Sequence, residues 1–280
     1  MKKPKISIVI ANYNNGFFFP DCYNSLVNQT SRDWEAIVLD DCSTDNSEDI
    51  ILRLIKDDPR FHFHRNEKNI GYQRTLLKGI ALSRSSIFAR LDPDDALALH
   101  AIQVSLKAHE DHPEAGLVYS NFVFCNEELH PREVHQGQQI TDLDNKYLNF
   151  LGEISHFASF KKNFYDLTTG IDPFIKRAED KDIYMKMCEV APVKYIDEDI
   201  YLYRVHQRGV SGGDNQEKAL FWHWVAIIKM AQRRGIDIED LFVENYVPRS
   251  VMENKLNRIK RSKWAKLGAK LGLFKAYRNI

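Results

Sequence analysis

Between residues 6 and 120, short apolar runs of strand length alternate with longer segments of helical length. Such alternation is typical of a parallel sheet with helices on both faces, because each helix carries the chain back to start the next strand. The predicted strands are Ile6–Ala11, Trp34–Leu39, Phe61–His64, Ser86–Leu91 and Gly116–Tyr119. The predicted helices between them are Pro20–Gln29, Ser47–Lys56, Tyr72–Ser83 and Leu97–His109. The pattern therefore predicts a doubly wound α/β fold.

Polar clusters directly follow four of the predicted strands. They read NYNN after the first strand, DDCSTD after the second, RNEKNIG after the third and DPDD after the fourth. In doubly wound sheets, ligands bind beyond the carboxyl ends of the strands. These four clusters therefore predict a binding crevice at that edge of the sheet.

The fourth cluster concentrates negative charge in a short turn. Asp92, Asp94 and Asp95 follow an apolar run, where like charges repel and burial increases the repulsion. Alone, such a turn is typical of a solvated loop that caps a helix, but the other polar strand ends favour a site for Mg²⁺ or Mn²⁺. A calcium loop is excluded, because Leu97 and Gln103 stand where that loop needs Gly and Glu.

The composition is that of a globular chain. With 280 residues, 44% hydrophobic and 28% charged, the chain fits one large α/β domain with an appendage. The first apolar run, ISIVIA, is too short for a signal peptide or a membrane span. The four cysteines form no C-x-x-C pair, which argues against a disulfide framework or a zinc ribbon and favours a reducing cytoplasm.

Six segments together resemble family 2 glycosyltransferases, which are inverting, nucleotide-sugar-dependent enzymes. The segments are SIVIANYNN, VLDDCSTDNSEDII, NEKNIG, ARLDPDD, RAEDKDIYMKM and YLYRVHQRGVS. The resemblance covers roughly residues 5–212 and implies the GT-A fold, a Rossmann-like, mostly parallel sheet flanked by helices. It implies a glycosyltransferase domain over residues 1–212, with its nucleotide-sugar half up to about residue 120. Its acceptor-side half covers about 121–212, and a helical extension covers 213–280.

The resemblance also implies which residues bind the donor. The backbone of Ala11 and the ring of Tyr13 pack on the base, and Asp41 reads the uracil edge, with Asp40 structural. Loop residues close over the base, Asp92 binds the ribose, and one of two arginines faces the phosphates. The donor-binding residues implied in this way are Ala11, Tyr13, Asp41, Asn69, Gly71, Arg74, Arg90 and Asp92.

The metal and phosphate contacts follow from the same resemblance. Asp94 matches the metal-binding position, Asp92 is expected as a second metal ligand, and His206 approaches the metal or the diphosphate. The implied cofactor is Mn²⁺ or Mg²⁺, and an imidazole ligand favours Mn²⁺. Asp95 is expected to support the turn. Further phosphate contacts are expected from Arg204, Arg208 and Ser211.

An inverting displacement needs a carboxylate that takes the proton of the acceptor hydroxyl. The segment RAEDKDIYMKM resembles the Glu-Asp motif of the family, which begins a helix on the acceptor side. By that match Asp180 is the catalytic base, and Glu179 orients Asp180 or the acceptor. Carboxylates at a helix start are also favoured by the helix dipole alone, which is the competing structural interpretation.

The basic tail separates the end of the chain from the rest. Residues 255–280 hold nine basic residues and no acidic one, which leaves a net charge of −9 on residues 1–254. Apolar residues recur there at helical spacing, at Trp264, Leu267, Leu271 and Phe274. Two interpretations remain open: a helix lying in an anionic membrane surface, and a helix packed on the body of the protein. Nucleic-acid binding is not expected, because there is no basic groove.

The sequence therefore predicts a cytoplasmic, metal-dependent, inverting glycosyltransferase. It moves a sugar from a nucleotide-diphosphate donor, UDP-linked by preference, to a hydroxyl of a glycan or lipid-linked glycan. The predicted setting is bacterial surface polysaccharide or glycolipid synthesis, with peripheral contact at the inner face of the membrane if the tail binds lipid. The alternatives are an inactive, sugar-nucleotide-binding subunit and a sugar nucleotidyltransferase. The latter needs a Gly-rich phosphate loop where this chain has ANYNNGFFF.

Overall fold

A computed structural model describes residues 3–141, 152–206 and 216–271. The chain forms two compact units, Met1–Met230 and Ala231–Ile280. The domain boundary predicted at residues 212 and 213 lies outside the described residues, as do Arg208 and Ser211.

The first unit begins with strand–helix repeats, as the apolar pattern predicts. The elements are β1 (Ile6–Asn12), α1 (Phe19–Val27), β2 (Trp34–Asp40), α2 (Ser47–Ile55), β3 (Phe61–Arg65), α3 (Tyr72–Leu82) and β4 (Ile87–Arg90). Their strands lie in the order β3-β2-β1-β4, and all three pairs are parallel. The carboxyl ends of these strands, with the polar clusters that follow them, therefore meet at one edge.

The second half of the unit makes the sheet mixed. Its elements are β5 (Ala96–Leu97), α4 (Ala101–Asp111), β6 (Leu117–Cys125), β7 (Pro131–His135), β8 (Ser159–Lys161), α5 (Lys162–Tyr165), α6 (Glu179–Val190) and β9 (Val193–Arg204). The sheet continues from β4 through β8, β6 and β9 to β5, with β7 beside β6. Strand β8 is antiparallel to both of its neighbours, whereas β6 and β9 are parallel. The helix predicted from Leu97 begins at Ala101, because Ala96 and Leu97 pair with β9 instead.

Both faces of the central strands are buried, which explains their continuous apolar runs. All seven residues of β1 are buried. Ile8 and Ile10 point into one hydrophobic cluster, and Val9 and Ala11 point into a second cluster on the opposite face. A strand that is covered on both sides is stabilised by apolar residues at every position rather than at alternate positions.

Helix α3 lies unusually close to this sheet. A Cβ atom on Gly79 would come within 2.4 Å of Val9 Cγ1 and 2.7 Å of Leu39 Cδ1. A glycine in mid-helix is unfavourable by about 0.5–1 kcal/mol relative to alanine, so its place here is explained by this contact. The close packing fixes the start of α3, where Tyr72 lies, against the carboxyl ends of the strands.

The remaining helices are α7 (Gln216–Arg234), α8 (Glu239–Arg261) and α9 (Lys263–Lys270). Helix α7 begins in the first unit, where Trp224, Ile227 and Met230 are buried, and ends in the second. Helix α9 buries none of its residues, and Ser262 caps its start by accepting a hydrogen bond from the amide of Ala265. None of the described helices is both long and apolar enough to cross a bilayer.

Candidate active site

An open cavity of about 390 Å³ lies at the carboxyl ends of β1, β2 and β4. Among the described residues, every predicted site residue lines it except Arg74, which is exposed and lies outside the lining. The predicted residues that line the cavity are Ala11, Tyr13, Asp41, Asn69, Gly71, Arg90, Asp92, Asp94, Glu179, Asp180 and His206. The topology thus brings together residues that are far apart in the chain.

The two aspartates after β2 have different surroundings. Asp40 is fully buried and accepts hydrogen bonds from Asn12 Nδ2 and from the amide of Ser43, both at 2.9 Å. Asp41 faces the loop after β3 and accepts hydrogen bonds from the amides of Ile70 and Gly71, both at 2.9 Å. Asp40 therefore joins two strand ends, and Asp41 holds the loop at the cavity.

Backbone strain is concentrated around the cavity. Four of the described non-glycine residues have a positive φ; among them Ala178 lines the cavity, and Asn14 and Cys42 each adjoin a residue that lines it. Such conformations cost of the order of 1–3 kcal/mol each and cluster at functional sites. Gly71, with a φ of 89°, sits in a conformation that is rare for other residues. The surrounding fold must therefore stabilise these unfavourable backbone conformations at the rim of the cavity.

Asp95 stabilises the acidic turn through contacts with strand β9. Its carboxylate accepts hydrogen bonds from the Tyr201 hydroxyl at 2.6 Å and from the amide of Arg204 at 2.8 Å. Burial raises the pKa of Asp95 well above its usual range, and the carboxylates of Asp94 and Asp92 raise it further. Asp95 thus anchors the turn to β9.

Arg204 has a structural role in place of the expected phosphate contact. Its Nε donates to the Asp94 carbonyl at 2.6 Å, and its Nη2 pairs with Asp21 at 2.6 Å. Its Nη1 donates to the Glu127 carbonyl, and the guanidinium lies over the Phe18 ring. Because each of its nitrogens is bound by protein, Arg204 stabilises the acidic turn.

Asp94 and His206 come together at the cavity. His206 Nε2 lies 2.9 Å from Asp94 Oδ2, and the imidazole is only 2% exposed. His206 Nδ1 is buried and has no hydrogen-bond partner among the described residues. A carboxylate oxygen and an imidazole nitrogen at this separation could hold a divalent cation between them.

Asp92 does not join this pair, although it was predicted as a metal ligand. Its Oδ1 accepts a hydrogen bond from the Tyr72 hydroxyl at 2.6 Å, and its Oδ2 lies 3.4 Å from Arg90. Its two oxygens are therefore directed at other side chains. Within the described ranges, no three His, Cys, Asp or Glu residues are grouped to hold a metal ion.

Arg90, the last residue of β4, connects the donor-side turn to the start of α6. Its Nη1 donates to Glu179 Oε1 at 3.0 Å, and its Nη2 lies 3.1 Å from His156 Nε2 as well as near Asp92. The guanidinium is only 17% exposed. Its nitrogens are directed at these three side chains, so a phosphate contact would require it to leave them.

The two carboxylates at the start of α6 differ in protonation. Burial and the neighbouring Asp180 raise the pKa of Glu179 to about 7. Burial also acts to raise the pKa of Asp180, but the charge of Arg90, the charge of Lys181 and the hydrogen bond from the Lys181 amide hold it below its usual range. Burial and the charge of Arg90 lower the pKa of His156 to about 3, so its imidazole is neutral at pH 7. Asp180 is therefore the ionised carboxylate of the pair at neutral pH.

Several residues of the site were not predicted from the sequence. Tyr72, His156, Lys176 and Arg177 line the cavity, and His156 also stacks on Tyr201. The basic pair Lys176–Arg177 lies one residue before the Glu-Asp motif and could have been identified from that position. His156 lies in the segment ISHFASF, whose residues give no signal of a site.

The sequence profile described as Glycosyl transferase family 2 matches residues 7–168, more than half of the chain. The chain belongs to this family. Its relatives include the chondroitin synthase of Escherichia coli, 28% identical over 208 residues, which are 74% of this chain and 30% of that protein. The hyaluronan synthase of Pasteurella multocida is 26% identical over 243 residues, which are 83% of this chain and 24% of that protein. This family 2 member therefore spans less than a third of the length of these relatives.

Solved structures share the fold of this family 2 chain. Residues 1–349 of Staphylococcus aureus TarS in complex with UDP give a TM-score of 0.67 at 18% identity, covering 91% of this chain and 78% of that chain. The mannosyltransferase PcManGT from Pyrobaculum calidifontis, in complex with GDP-Man and Mn²⁺, gives a TM-score of 0.66 at 18% identity. That match covers 100% of this chain and 83% of the other. The predicted GT-A fold is confirmed by these matches.

Replacing Arg90 tests its place between the carboxylates. Arg90→Met should lower the free energy of unfolding by about 3–5 kcal/mol, because it leaves Asp92, Glu179 and Asp180 without their buried cation. Arg74→Met removes the same charge from an exposed position and should change stability by no more than about 0.5 kcal/mol. Urea unfolding of the two variants without ligand provides the measurement. Equal stability of the two variants would contradict the assigned role.

Proposed function

We propose that this chain is an inverting glycosyltransferase that takes a sugar from a UDP-linked donor. The acceptor is a hydroxyl group of a glycan or lipid-linked glycan, in the synthesis of a surface polysaccharide or glycolipid. One observation carries the proposal: the strand-end residues and the Glu179–Asp180 pair face a common cavity, with Arg90 between them. The TarS structures with UDP and with UDP-GlcNAc support this donor class. The matches to chondroitin and hyaluronan synthases support the acceptor class.

The nucleoside is bound by the ends of β1 and β2 and by the loop after β3. The Tyr13 ring is 48% exposed and is free to pack on the base. Asp41 faces the same space while it holds the amides of Ile70 and Gly71. Asp92 is assigned to the ribose, since the Tyr72 hydroxyl fixes the orientation of its carboxylate. Base recognition and the position of the loop are thereby linked through one carboxylate.

Asp94 and His206 would hold a divalent cation, either Mn²⁺ or Mg²⁺. Their oxygen and nitrogen donors fit the preference of Mn²⁺ for mixed ligands, and His206 Nε2 and Asp94 Oδ2 lie 2.9 Å apart at the cavity. The PcManGT complex contains Mn²⁺, which supports this cofactor. When bound, the cation supplies positive charge that stabilises the leaving diphosphate.

Asp180 is the catalytic base in this proposal. One of its oxygens accepts a hydrogen bond from the amide of Lys181 at 2.8 Å, and no described residue binds the other oxygen. The acceptor oxygen attacks the anomeric carbon as its proton passes to Asp180, and the bond from that carbon to the diphosphate breaks on the opposite side. Glu179, which pairs with Arg90, orients Asp180 or the acceptor. Catalysis therefore depends on the ionised state that Arg90 maintains.

Replacement of Asp180 should lower turnover while leaving UDP affinity nearly unchanged. Asp180→Asn keeps the shape of the side chain but cannot accept a proton, so turnover should fall by roughly 10²–10⁴-fold. UDP affinity should stay within a few-fold, because the base acts in the transition state. Glu179→Gln is the matched control and should lose less turnover. If Glu179→Gln loses more activity than Asp180→Asn, the base is Glu179, whose raised pKa suits proton transfer near pH 7.

Metal removal tests the pair Asp94–His206. With a hundredfold excess of UDP over its Kd, binding should add about 2.7 kcal/mol to the stability of the wild type in the presence of Mn²⁺. Asp94→Ala and His206→Ala should each abolish the part of this gain that a chelator removes. Asp45→Ala, at an exposed acidic residue outside the cavity lining, is the control. Equal Mn²⁺-dependent shifts in all four proteins would eliminate this cation site.

We further propose that the second unit contacts an anionic membrane surface. Apolar side chains are exposed at helical spacing on α8 (Met252, Leu256 and Ile259) and on α9 with its C-cap (Trp264, Leu267 and Leu271). Between Lys255 and Lys270 these helices carry basic residues and no acidic one. Exposed apolar residues among lysines and arginines are typical of helices that lie in a lipid interface. Such contact would keep the enzyme at the inner face of the membrane, near a lipid-linked acceptor.

Charge reversal tests this contact. A variant with Lys263→Glu, Lys266→Glu and Lys270→Glu should sediment far less with vesicles that contain anionic lipid. At roughly 1 kcal/mol per basic residue, the loss from three lysines is about a hundredfold or more in affinity. Lys56→Glu, Lys68→Glu and Lys107→Glu together change the net charge equally at exposed lysines of the first unit and should sediment like the wild type. Equal losses in both variants would show that net charge alone is responsible.

A further inference from the structure

Three aromatic side chains form an exposed cluster on the first unit, apart from the cavity lining. Phe174 lies in the loop before α6, and Phe221 and Trp222 lie on α7. The Trp222 ring is 5.5 Å from Phe174 and 5.2 Å from Phe221, in edge-to-face arrangements. Phe174 is 64% exposed and Phe221 is 60% exposed. These three residues are called the aromatic cluster below.

The loop that carries Phe174 is tied to α7. Asp172 Oδ1 accepts a hydrogen bond from the amide of Phe174 at 2.9 Å, and Asp172 Oδ2 pairs with Lys229 Nζ at 2.7 Å. Lys229 Nζ also lies 5.4 Å from the centre of the Phe174 ring. The ring is thus held before any ligand arrives, which reduces the entropy that a ligand must offset on binding.

The same loop leads directly into the proposed active site. Lys176 and Arg177 line the cavity, and Glu179 follows at the start of α6. Only Ile175 separates Phe174 from Lys176 in sequence, so the Cα atoms of Phe174 and Lys176 lie no more than about 7 Å apart. The aromatic cluster therefore adjoins the part of the cavity where an acceptor would meet Asp180.

The chemistry of the aromatic cluster matches a sugar ring. The two phenylalanines expose apolar ring surface that folding leaves uncovered, and such patches mark binding sites. The Trp222 side chain is half-buried, and its indole N–H adds one hydrogen-bond donor to this apolar surface. Pyranose rings present C–H groups on their faces and hydroxyls at their edges. Aromatic rings with one polar group combine the two matching properties.

We propose that the aromatic cluster is a binding subsite for the acceptor glycan, next to the residue that receives the new sugar. This subsite rests on the proposed function, because it places the glycan beside Asp180. A membrane contact is not favoured here, since the charges beside the rings, Asp172 and Lys229, neutralise each other. The subsite would favour oligosaccharide acceptors over single sugars.

Direct binding tests the subsite without turnover. The probes are tetrasaccharides of glucose, of N-acetylglucosamine and of alternating uronic acid and hexosamine, added to the full chain while tryptophan fluorescence is recorded. At least one tetrasaccharide should change the fluorescence of the wild type. Phe174→Ala keeps all four tryptophans, so its expected loss of at least tenfold in affinity is measured by the same signal. Leu167→Ala, at an exposed apolar residue outside the cavity lining, also keeps all four tryptophans and should bind like the wild type.

Kinetics provide the second measurement. Phe174→Ala and Phe221→Ala should raise the KM for an oligosaccharide acceptor while kcat and UDP affinity stay within a few-fold of the wild type. Both residues are exposed, and unchanged melting temperatures would show that the variants fold. The subsite is overturned if none of the probes binds, if Phe174→Ala binds them normally, or if its only loss is in vesicle binding. Oligosaccharide binding that depends on Phe174, in a protein that turns over no donor, would keep the glycan site and overturn the proposed function.

Discussion

The site depends on one buried cation. Asp92, Glu179 and Asp180 come from distant parts of the chain, and like charges in a half-buried cavity would oppose their approach. Arg90 contacts Asp92 and Glu179 directly, and its charge also holds Asp180 ionised. Because an arginine stays protonated at any pH that a folded protein tolerates, this compensation does not vary with conditions. The fold can therefore keep Asp92 and the Glu179–Asp180 pair in one small volume.

The same cation joins two parts of the proposed reaction. Arg90 ends β4, just before the acidic turn, and Glu179 begins α6 on the acceptor side. A displacement of the turn would change the contact to Glu179, and a displacement of α6 would change the contact to Asp92. The positions of the acidic turn and of the start of α6 are thereby coupled through side-chain contacts, with no large movement of the backbone required.

The sequence predicted the parallel half of the fold well, because that half is determined by local patterns. Strands β1 and β2 are largely apolar since both of their faces are buried, and the bounds of β1 to β4 lie within one residue of those expected. The antiparallel strand β8 was not predicted, because three residues give no period and their pairing is decided by contacts with β4 and β6. The local sequence pattern does not show which strands such a short segment pairs with.

Many of the residues that line the cavity were named from the sequence, but the contacts between them were not predicted. The cavity lining contains the aspartates of the strand ends because parallel strands place their carboxyl ends together. The roles of Arg90 and Arg204 differ from expectation, since nothing in the sequence shows that a carboxylate from α6 or a carbonyl of the acidic turn lies within reach. Asp92 turned out to face Tyr72 for the same reason. Residue type and spacing indicate a charge, whereas its partner is decided by the tertiary fold.

The left-handed residues at the rim have a consequence for evolution and engineering. The residues concerned are Asn14, Cys42 and Ala178, which adopt a left-handed backbone conformation that costs glycine less free energy. Each of them lines the cavity or adjoins a residue that lines it. Selection for thermal tolerance alone would tend to replace them and relax the rim. Selection for activity would retain a side chain that keeps the neighbouring backbone from sampling other shapes. The two pressures act on the same three positions in opposite directions, so a more heat-resistant descendant would be expected to find its gains elsewhere, in the sheet or on the outer helices.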